Sequence, residues 1–429
     1  MGDLSLLSGW LVGVVIVVAA VSTVLCISWR DGRWRRELVI GGAVAIGLSG
    51  GVALADQLLT IITFTFPKSF YAYAALAIFA LTVTVLGFRR DSGWQRLSGV
   101  VAVVSTAMLL GLLVNDQYQY YPTLANLFGK VADNQKQLPQ LAEIKEQVRQ
   151  TGQLPTAGVT VEVPIPGKDS GFTARDGYVY LPPAYFADPE PKLPVLLLLH
   201  GVPGAPSDWI VAGGADKVAD RFAADHDGRA PILVMPDVTG DDLNDTECTD
   251  SPRGKVETYL VDDVPAYVRE TFGVAPDDPW GVAGLSLGGF CSLMLPLRHP
   301  TQFIVFGDYS GLAVPTLDPP DSALSSLFGG DQQAMDAYDP TKILATKRFE
   351  GLSGWFEVGT DDSDPLRETK AVAAQASSAG MATCVLIRPG SHDFNFWHAS
   401  FEHSLPWLSA RLGLVPLPVD IHGADCSGG

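Results

Sequence analysis

The chain has 429 residues, of which 47% are hydrophobic, and its formal net charge is −18. A mean hydropathy of +0.20 is high for a wholly soluble protein, so part of the chain is expected to lie in lipid. Residues 1–115 hold eight Lys and Arg against five Asp and Glu, so the acidity lies in the remainder. An acidic module of this kind repels nucleic acid and does not favour a basic patch for anionic lipid.

Four stretches without charge come first in the chain, and each has 17 or 18 residues. This length is just enough to cross the hydrocarbon core, which needs roughly 17–25 residues. The alternatives are buried core helices or a cleaved signal peptide, but a signal peptide needs a basic start and only Asp3 precedes the first stretch. We therefore predict transmembrane helices at 11–27, 38–54, 71–88 and 97–114.

Basic residues are unequally distributed around these stretches. The N-terminus has no basic side chain, and the second loop offers only Lys68. The first and third loops hold Arg30, Arg33, Arg35, Arg36, Arg89, Arg90 and Arg96. Because loops rich in Lys and Arg stay in the cytoplasm, both termini are predicted to lie outside it. Everything after Val114 is therefore expected on the extracytoplasmic side of the cell membrane.

The rest of the chain divides into three parts. Residues 115–155 are polar and predict a linker with one amphipathic helix near Leu138–Gln150. Residues 156–415 alternate short β-type runs with helical segments, and apolar runs such as "VLLLL" suit a parallel sheet buried on both faces. This alternation predicts an α/β fold with a doubly wound, mostly parallel sheet. Residues 416–429 are expected to form a tail.

Five cysteines are too few for a disulfide scaffold. A single bond is permitted outside the cytoplasm. Cys248 and Cys291 are the favoured pair, since one is expected in a loop and the other early in the helix after "GLSLG", near the same end of the sheet. Spacing alone leaves the connectivity open.

The motif that carries chemistry is Gly284–Gly288, "GLSLG", which matches G-x-S-x-G. It lies between an expected strand, "WGVAG", and an expected helix, "FCSLMLPLRHP". A nucleophile elbow is a strained turn in this setting, with small residues on either side so that strand and helix approach closely. The strand–turn–helix setting favours Ser286 as a nucleophile over a structural turn serine.

A serine hydroxyl needs a base within hydrogen-bond reach, and the chain has seven histidines. His392, in "RPGSHDFNFW", follows an apolar strand and lies in a Gly/Ser turn from which a base can reach the sheet edge. His398 and His403 are expected on a closing helix, as residues of the helix face. The others are His200, His226, His299 and His422, of which His200 is expected to orient the loop after its strand.

The base needs a carboxylate that fixes its tautomer and stabilises the imidazolium. The loop after "GWFEV" reads "GTDDSD", and we choose Asp362 from it. Asp361 and Glu357 remain alternatives. The order Ser…Asp…His matches that of α/β-hydrolases.

The oxyanion of the reaction needs two fixed N–H donors. One is expected from the backbone of Leu287, directly after the nucleophile. The other is expected from the loop "GVPG" after "LLLLH", where Pro203 has no N–H to donate. Val202 is therefore the natural second donor.

Several segments together resemble the putative-esterase family of α/β-hydrolases, which includes esterase D, enterochelin esterases and the antigen 85 mycolyltransferases. They are "GYVYLPPAYF", "PVLLLLHGVPGAPSDW", "PILVMPDV", "GLSLGGF", "VGTDDSD" and "PGSHDFNFWHASFEHSLPWL". They occur in order between about Val159 and Leu414. This chain departs from the family at the acid loop, which holds three aspartates. It also departs at the N-terminal helices, which the soluble members lack. In these helices it resembles actinobacterial membrane-tethered relatives.

The resemblance implies Ser286 as nucleophile, His392 as base, an acid in the loop after Gly359, and oxyanion donors at Val202 and Leu287. Together with the predicted helices, the basic loops and the acidic charge, it favours a membrane-anchored extracytoplasmic serine esterase for small-molecule or lipid esters. Its chemistry needs no metal or organic cofactor, and no nucleic-acid partner is expected. Two alternatives stay open: an acyltransferase that moves an acyl chain to a sugar hydroxyl, and a non-catalytic membrane scaffold.

No segment is an obvious lid over the expected site. The run "LDPPDSALSSLFGGDQQAMDAYDP" at Leu317–Pro340 is long enough to shape an entrance. A surface excursion is the other interpretation of this segment.

Overall fold

The chain divides into an N-terminal unit, Met1–Gly129, and a C-terminal unit, Lys130–Gly429. Some residues named above lie outside the described residues. They are Arg30 and Arg90 of the two basic loops, and residues 318–321 of the candidate entrance segment. The computed structural model describes residues 4–27, 29, 32–59, 68–89, 92–275, 278, 280–317 and 322–427.

Long apolar helices form the described part of the N-terminal unit. Four of them, by length and composition, can cross a membrane, and they are compatible with the four predicted spans. They are α1 (Gly9–Cys26), α2 (Trp34–Leu59), α3 (Lys68–Gly87) and α4 (Gly93–Tyr118).

The helices differ from the predicted spans mainly in length. α2 and α4 have 26 residues each, whereas the uncharged stretches at 38–54 and 97–114 are much shorter. Hydropathy marks only the apolar part of a helix, while capping groups decide where the helix begins and ends. In α4 a capping box of Ser92 and Gln95 starts the helix, and Gln119 ends it in the left-handed conformation.

Small residues bring the helices of the N-terminal unit close together. Ala19, Ala80 and Ala102 are fully buried on α1, α3 and α4. At the contact between α3 and α4, a Cβ added to Gly99 would lie 2.7 Å from the side chain of Thr84. Such residues let helix backbones approach where lipid supplies no hydrophobic force between helices.

The prediction of a linker at 115–155 needs correction. After α5 (Leu124–Leu127), the short strand β1 (Gln135–Lys136) pairs in parallel with β2 (Val159–Val163) and so belongs to the main sheet. Two residues are too few to produce a periodic pattern, so this strand could not be predicted from the sequence. The helix α6 (Gln140–Thr151) follows it.

The helix α6 overlaps the predicted amphipathic helix at 138–150 and belongs to the C-terminal unit. It ends at Gly152, whose φ of 67° suits glycine. Lys145 Nζ lies 2.7 Å from a carboxylate oxygen of Glu190 and 4.1 Å from the ring centroid of Tyr185. Part of the predicted linker is therefore attached to the sheet domain rather than acting only as a spacer.

The C-terminal unit is built on one large sheet, in which ten strands pair within the described residues, in the order β1-β2-β3-β5-β4-β8-β9-β10-β11-β12. The run β5-β4-β8-β9-β10-β11 is parallel, and β3 and β12 pair antiparallel with their neighbours. The further strands of this sheet are β3 (Gly177–Leu181), β4 (Val195–Leu199), β5 (Ile232–Met235), β8 (Trp280–Leu285), β9 (Phe303–Tyr309), β10 (Ser353–Gly359), β11 (Ala382–Arg388) and β12 (Asp425–Ser427). The strands β6 (Asp250–Ser251) and β7 (Gly254–Lys255) pair antiparallel in a separate two-stranded sheet.

Helices connect most of the parallel strands, which makes this an α/β fold of the α/β-hydrolase kind. All residues of β4, β5 and β8 are buried, as a parallel sheet covered on both faces requires. The helices are α7 (Asp208–Val211), α8 (Ala215–Ala224), α9 (Val256–Thr258), α10 (Val264–Phe272), α11 (Leu287–Arg298), α12 (Ser322–Phe328), α13 (Gln332–Asp336), α14 (Pro340–Thr346), α15 (Ser363–Ser378) and α16 (Phe394–Arg411).

The carboxyl ends of the central strands meet at one edge of the sheet. Leu199 of β4 is in register with Gly284 of β8, and Gly359 of β10 is in register with Arg388 of β11. The loops that follow β4, β8, β10 and β11 therefore start side by side. In open α/β sheets this edge is where ligands bind.

The prediction of a tail at 416–429 also needs correction. Its strand β12 pairs antiparallel with β11, with Cys426 opposite Cys384, and these two cysteines form a disulfide. The covalent bond and the strand pairing hold the end of the chain on the sheet. Three residues again give no periodic pattern from which a strand could be predicted.

The expected disulfide between Cys248 and Cys291 is present. It joins the loop after β5 to α11, and both cysteines are fully buried. The bond links residues 43 positions apart, so it restricts a long loop of the unfolded chain.

A buried carboxyl group lies beneath the start of α11. Asp308 of β9 accepts a hydrogen bond from the N–H of Gly311 at 2.8 Å through Oδ1, while its Oδ2 has no hydrogen-bond partner among the described residues. A Cβ added to Gly289 would lie only 2.6 Å from Oδ1, so the carboxyl group is packed tightly against α11. Burial raises the pKa of Asp308 to about 7.

We expect the double substitution Cys248→Ser and Cys291→Ser to lower the free energy of unfolding of the C-terminal unit by about 2–4 kcal/mol. Chemical denaturation of the full-length protein in detergent, followed by tryptophan fluorescence, measures this change. Cys26→Ser is the control, because Cys26 lies in α1 of the other unit. Equal unfolding midpoints for the double variant and the wild type would contradict the expectation.

We expect Asp308→Asn to make stability less dependent on pH. The folded-state pKa of about 7 lies above the value of about 3.9 for an unfolded aspartate. The stability contributed by the protonated carboxyl is therefore full below about pH 4 and is lost as the pH rises to about 7. The melting temperature of Asp308→Asn should fall less over this range than that of the wild type, whereas exposed Asp225→Asn should follow the wild type. If the melting temperatures of all three proteins changed in parallel with pH, the expectation would be wrong.

Candidate active site

The serine of the G-x-S-x-G motif lies in a strained turn between β8 and α11. Ser286 has φ 55° and ψ −121°, a conformation that non-glycine residues adopt only when their surroundings enforce it. Its N–H donates to the carbonyl of Tyr309, and its own carbonyl accepts from the N–H of Gly289. The turn therefore presents the hydroxyl at the carboxyl edge of the sheet, as an elbow requires.

The two motif glycines make this turn possible. A Cβ at Gly284 would overlap the carbonyl of Gly288, and a Cβ at Gly288 would overlap the carbonyl of Leu199 on β4. Any side chain at either position would push α11 away from the sheet. The predicted close approach of strand and helix is therefore present.

Three of the predicted side chains lie within hydrogen-bond distance of one another. Ser286 Oγ is 2.9 Å from His392 Nε2, and His392 Nδ1 is 2.8 Å from Asp362 Oδ2. In this geometry Nδ1–H donates to the carboxylate, which leaves Nε2 free to accept the serine proton. The imidazole is about half-exposed, whereas Asp362 is buried.

The two alternative acids lie elsewhere. The side chain of Asp361 is exposed, and its backbone N–H donates to the carbonyl of Gly390. Glu357 is fully buried and accepts hydrogen bonds from Arg388, at 2.6 Å, and from His403, at 3.0 Å. Its carboxylate thus holds a cluster behind the site rather than the imidazole of His392.

The other histidines of the C-terminal part lie outside the triad. His398 and His403 are on α16, as expected, and His398 Nδ1 lies 2.7 Å from the carbonyl of Gly213. His299 lies 2.8 Å from Glu257. Each therefore has a structural partner of its own.

The loop after β4, which carries the expected oxyanion donor Val202, lies against the elbow that carries Ser286 and Leu287. Gly201 packs directly on the elbow, since an added Cβ would lie 3.2 Å from the Cβ of Ser286. Val202 follows it and is half-buried. Leu287 is the first residue of α11, a position at which a backbone N–H has no acceptor within the helix.

A buried ionic network supports this loop. His200 is fully buried, with Nδ1 2.8 Å from the carbonyl of Gly201 and Nε2 3.2 Å from Asp237. Arg175 donates to Asp237 at 2.8 Å and to the carbonyl of Gly204 at 2.8 Å. Burial alone would raise the pKa of Asp237, but hydrogen bonds from His200 and Arg175 hold it well below the usual range. The orienting role expected for His200 agrees with these contacts.

Arg175 and Trp397 were not identified from the sequence. The ring of Trp397 lies edge-on to His392, with centroids 4.8 Å apart, and so restricts the position of the imidazole. Trp397 lies on α16 five residues after His392, where the Gly/Ser turn leads into the helix. Arg175 precedes β3 in a loop without a motif, so no signal in the sequence pointed to it.

The residues that follow β9 bridge two sides of the site. The N–H of Ala313 donates to Glu368 on α15 at 2.8 Å, and the N–H of Thr316 donates to Glu247 at 3.2 Å. Glu247 precedes Cys248, whose disulfide leads to α11. The residues just before the candidate entrance segment are thus connected both to the helix that follows Asp362 and, through the disulfide, to the elbow helix.

Known proteins similar to this chain fall into two groups. In sequence, the family model described as "Putative esterase" matches residues 173–408. An uncharacterized protein of Corynebacterium glutamicum is 33% identical over 421 residues, which cover 94% of this chain and 96% of that protein. Diacylglycerol acyltransferase/mycolyltransferase Ag85A of Mycobacterium ulcerans is 28% identical over 204 residues, which cover 40% of this chain and 59% of that protein.

In structure, a ferulic acid esterase matches this chain with a TM-score of 0.51 at 22% identity. The match covers 59% of this chain and 99% of that protein. S-formylglutathione hydrolase from Agrobacterium tumefaciens has a TM-score of 0.51 at 18% identity, covering 61% of this chain and 98% of its own. These likenesses show the α/β-hydrolase fold. Together with the family match over more than half of the sequence, they establish that the chain is a hydrolase and belongs to the putative-esterase family of α/β-hydrolases.

Proposed function

We propose that this protein is a membrane-anchored serine esterase that cleaves carboxylic esters, in particular esters of acyl chains, outside the cytoplasm. The observation that carries the proposal is the continuous pair of hydrogen bonds from Ser286 through His392 to Asp362, at 2.9 and 2.8 Å. Membership of the putative-esterase family supports the same reaction class.

The reaction begins with the hydroxyl of Ser286. As Oγ forms a bond to the ester carbonyl carbon, its proton moves to Nε2 of His392, and Asp362 stabilises the imidazolium. When the tetrahedral intermediate collapses, the carbon–oxygen bond to the alcohol breaks and the alcohol takes the proton from Nε2. The acyl chain is then carried on Ser286, and a water activated by His392 releases it as the free acid.

The negative charge of the tetrahedral intermediate falls on the former carbonyl oxygen. The backbone N–H groups of Val202 and Leu287 are the donors we assign to it. Fixed donors of this kind each contribute roughly 3–4 kcal/mol to lowering the barrier. The packing of Gly201 on the elbow and the buried His200 support a rigid loop, which is what such donors require.

The proposed location outside the cytoplasm has two supports. The arginines of the first and third loops favour the cytoplasmic side for those loops, and hence the other side for the C-terminal unit. The disulfides Cys248–Cys291 and Cys384–Cys426 suit an oxidising compartment. The four apolar helices are proposed to hold the esterase at the membrane.

An acyltransferase is the second candidate, favoured by the similarity to Ag85A, whose name includes diacylglycerol acyltransferase and mycolyltransferase. The acyl-enzyme is the same, and a sugar hydroxyl replaces water in the second step. A third candidate, a non-catalytic scaffold, would leave the hydrogen-bonded side chains unused. Failure of a fluorophosphonate probe to label Ser286 in the folded protein would favour that candidate.

We expect the full-length protein in detergent to hydrolyse p-nitrophenyl esters, and Ser286→Ala to abolish both turnover and fluorophosphonate labelling. A panel of acyl chain lengths measured as kcat/KM identifies the preferred acyl group. The same panel with a lipid ester, with and without a sugar acceptor such as trehalose, separates the first two candidates. If transfer products exceed free acid, the protein is an acyltransferase; turnover by Ser286→Ala equal to wild type would disprove both.

We expect Asp362→Asn to lower kcat by about 10³–10⁴-fold, because the imidazole loses the carboxylate that fixes its tautomer. Asp361→Asn is the matched control, since it makes the same change on the neighbouring exposed residue. It should leave kcat within a few fold of the wild type. A larger loss in Asp361→Asn than in Asp362→Asn would assign the acid to Asp361 instead.

A further inference from the structure

A cavity opens at the end of the N-terminal unit where α2 begins and α3 ends. Its volume is about 820 Å³, and three arginines contribute to its lining: Arg33, Arg36 and Arg89. The volume falls in the range of small-molecule sites, about 300–1,000 Å³. Arg33 and Arg36 precede or begin α2, and Arg89 follows the last turn of α3, so two separate loops supply the positive charge.

The rest of the cavity is an apolar wall formed by α3 and α4. Leu81 and Val85 of α3 line it together with Val100 and Val104 of α4, and all four are exposed. The wall extends from the arginines along the helices, in the part of the unit that is compatible with lipid. A single ligand molecule that contacts both the arginines and the apolar wall must therefore be charged at one end and apolar at the other.

The cavity lining also contains one acid. Glu37 is buried and lies in the first turn of α2, where the helix dipole favours a negative charge. With three arginines and one glutamate, the ionised lining keeps a net positive charge. The ligand end that matches it is an anion, and guanidinium groups bind phosphate oxygens with paired hydrogen bonds.

Other arginines at the same end of the unit do not contribute to the lining. Arg35 lies over the ring of Trp34, 5.2 Å from its centroid, and Arg96 lies over the ring of Phe88, 5.7 Å from its centroid. Neither is among the residues that line the cavity. The convergence of Arg33, Arg36 and Arg89 is therefore a property of the cavity rather than of every arginine in these loops.

We propose that this cavity binds one anionic glycerophospholipid, with its phosphate against the arginines and an acyl chain along the apolar wall. A basic pocket between membrane helices is suited to acidic lipid head groups. A zwitterionic lipid would bring its own cation to the arginines, and free phosphate would leave the apolar wall unused. The inference rests on membrane insertion of the four helices and is independent of the esterase site.

Native mass spectrometry of the full-length protein in detergent tests the proposal. Phosphatidylglycerol and phosphatidylcholine with identical acyl chains are added in equal amounts, and bound lipid is counted. We expect one phosphatidylglycerol to be retained at least about tenfold more than phosphatidylcholine, and Arg33→Gln with Arg89→Gln to remove this preference. Arg33→Lys with Arg89→Lys, which keeps the charge but loses the paired hydrogen bonds, should retain part of it.

The controls use the arginines outside the cavity. Arg35→Gln and Arg96→Gln should retain phosphatidylglycerol as the wild type does, and helical circular dichroism together with the elution volume in size-exclusion chromatography reports whether each variant is folded. Equal retention of the two lipids by the wild type would overturn the proposal. So would an equal loss in the control variants, or displacement of the lipid by an equal concentration of sn-glycerol 3-phosphate.

Discussion

The contact on which the site depends is the one between the backbones of β8, α11 and β4 at Gly284, Gly288 and Leu199. No side chain fits at either glycine, so the chain can turn sharply enough to hold Ser286 at φ 55°. The strain of that turn is balanced by the surrounding sheet. Because contacts with β8, α11 and β4 fix the turn, the position of the Ser286 hydroxyl is restricted. The imidazole of His392 then needs only to lie within hydrogen-bond distance of it.

The parallel sheet brings His392 there. Ser286 and His392 are 106 positions apart, yet they follow strands whose carboxyl ends lie at the same edge. Asp362 follows β10, which lies between β8 and β11 in the sheet order, and directly precedes α15. Short loops after parallel strands thus position each group from a rigid strand end, and the buried network around Arg175 and His200 does the same for the loop that carries Val202.

The sequence allowed much of this to be predicted, because the nucleophile and the base each have a local signal. Ser286 lies in a motif with its own turn geometry, and His392 follows an apolar strand in a Gly/Ser turn. The choice between Asp361 and Asp362 had no such signal, since adjacent residues differ only in the direction that the backbone gives them. The contacts of Glu247 and Glu368 with the segment after β9 depend on residues distant in sequence, which no local pattern reports.

The two outermost strands of the sheet have a further consequence. β1 has two residues and β12 has three, and the second is held by the bond between Cys384 and Cys426. Each of these outermost strands therefore offers few unpaired N–H and C=O groups to a strand of another molecule. Long open borders allow a sheet to pair with a strand of another copy, so short closing strands reduce the length of border on which such pairing can start.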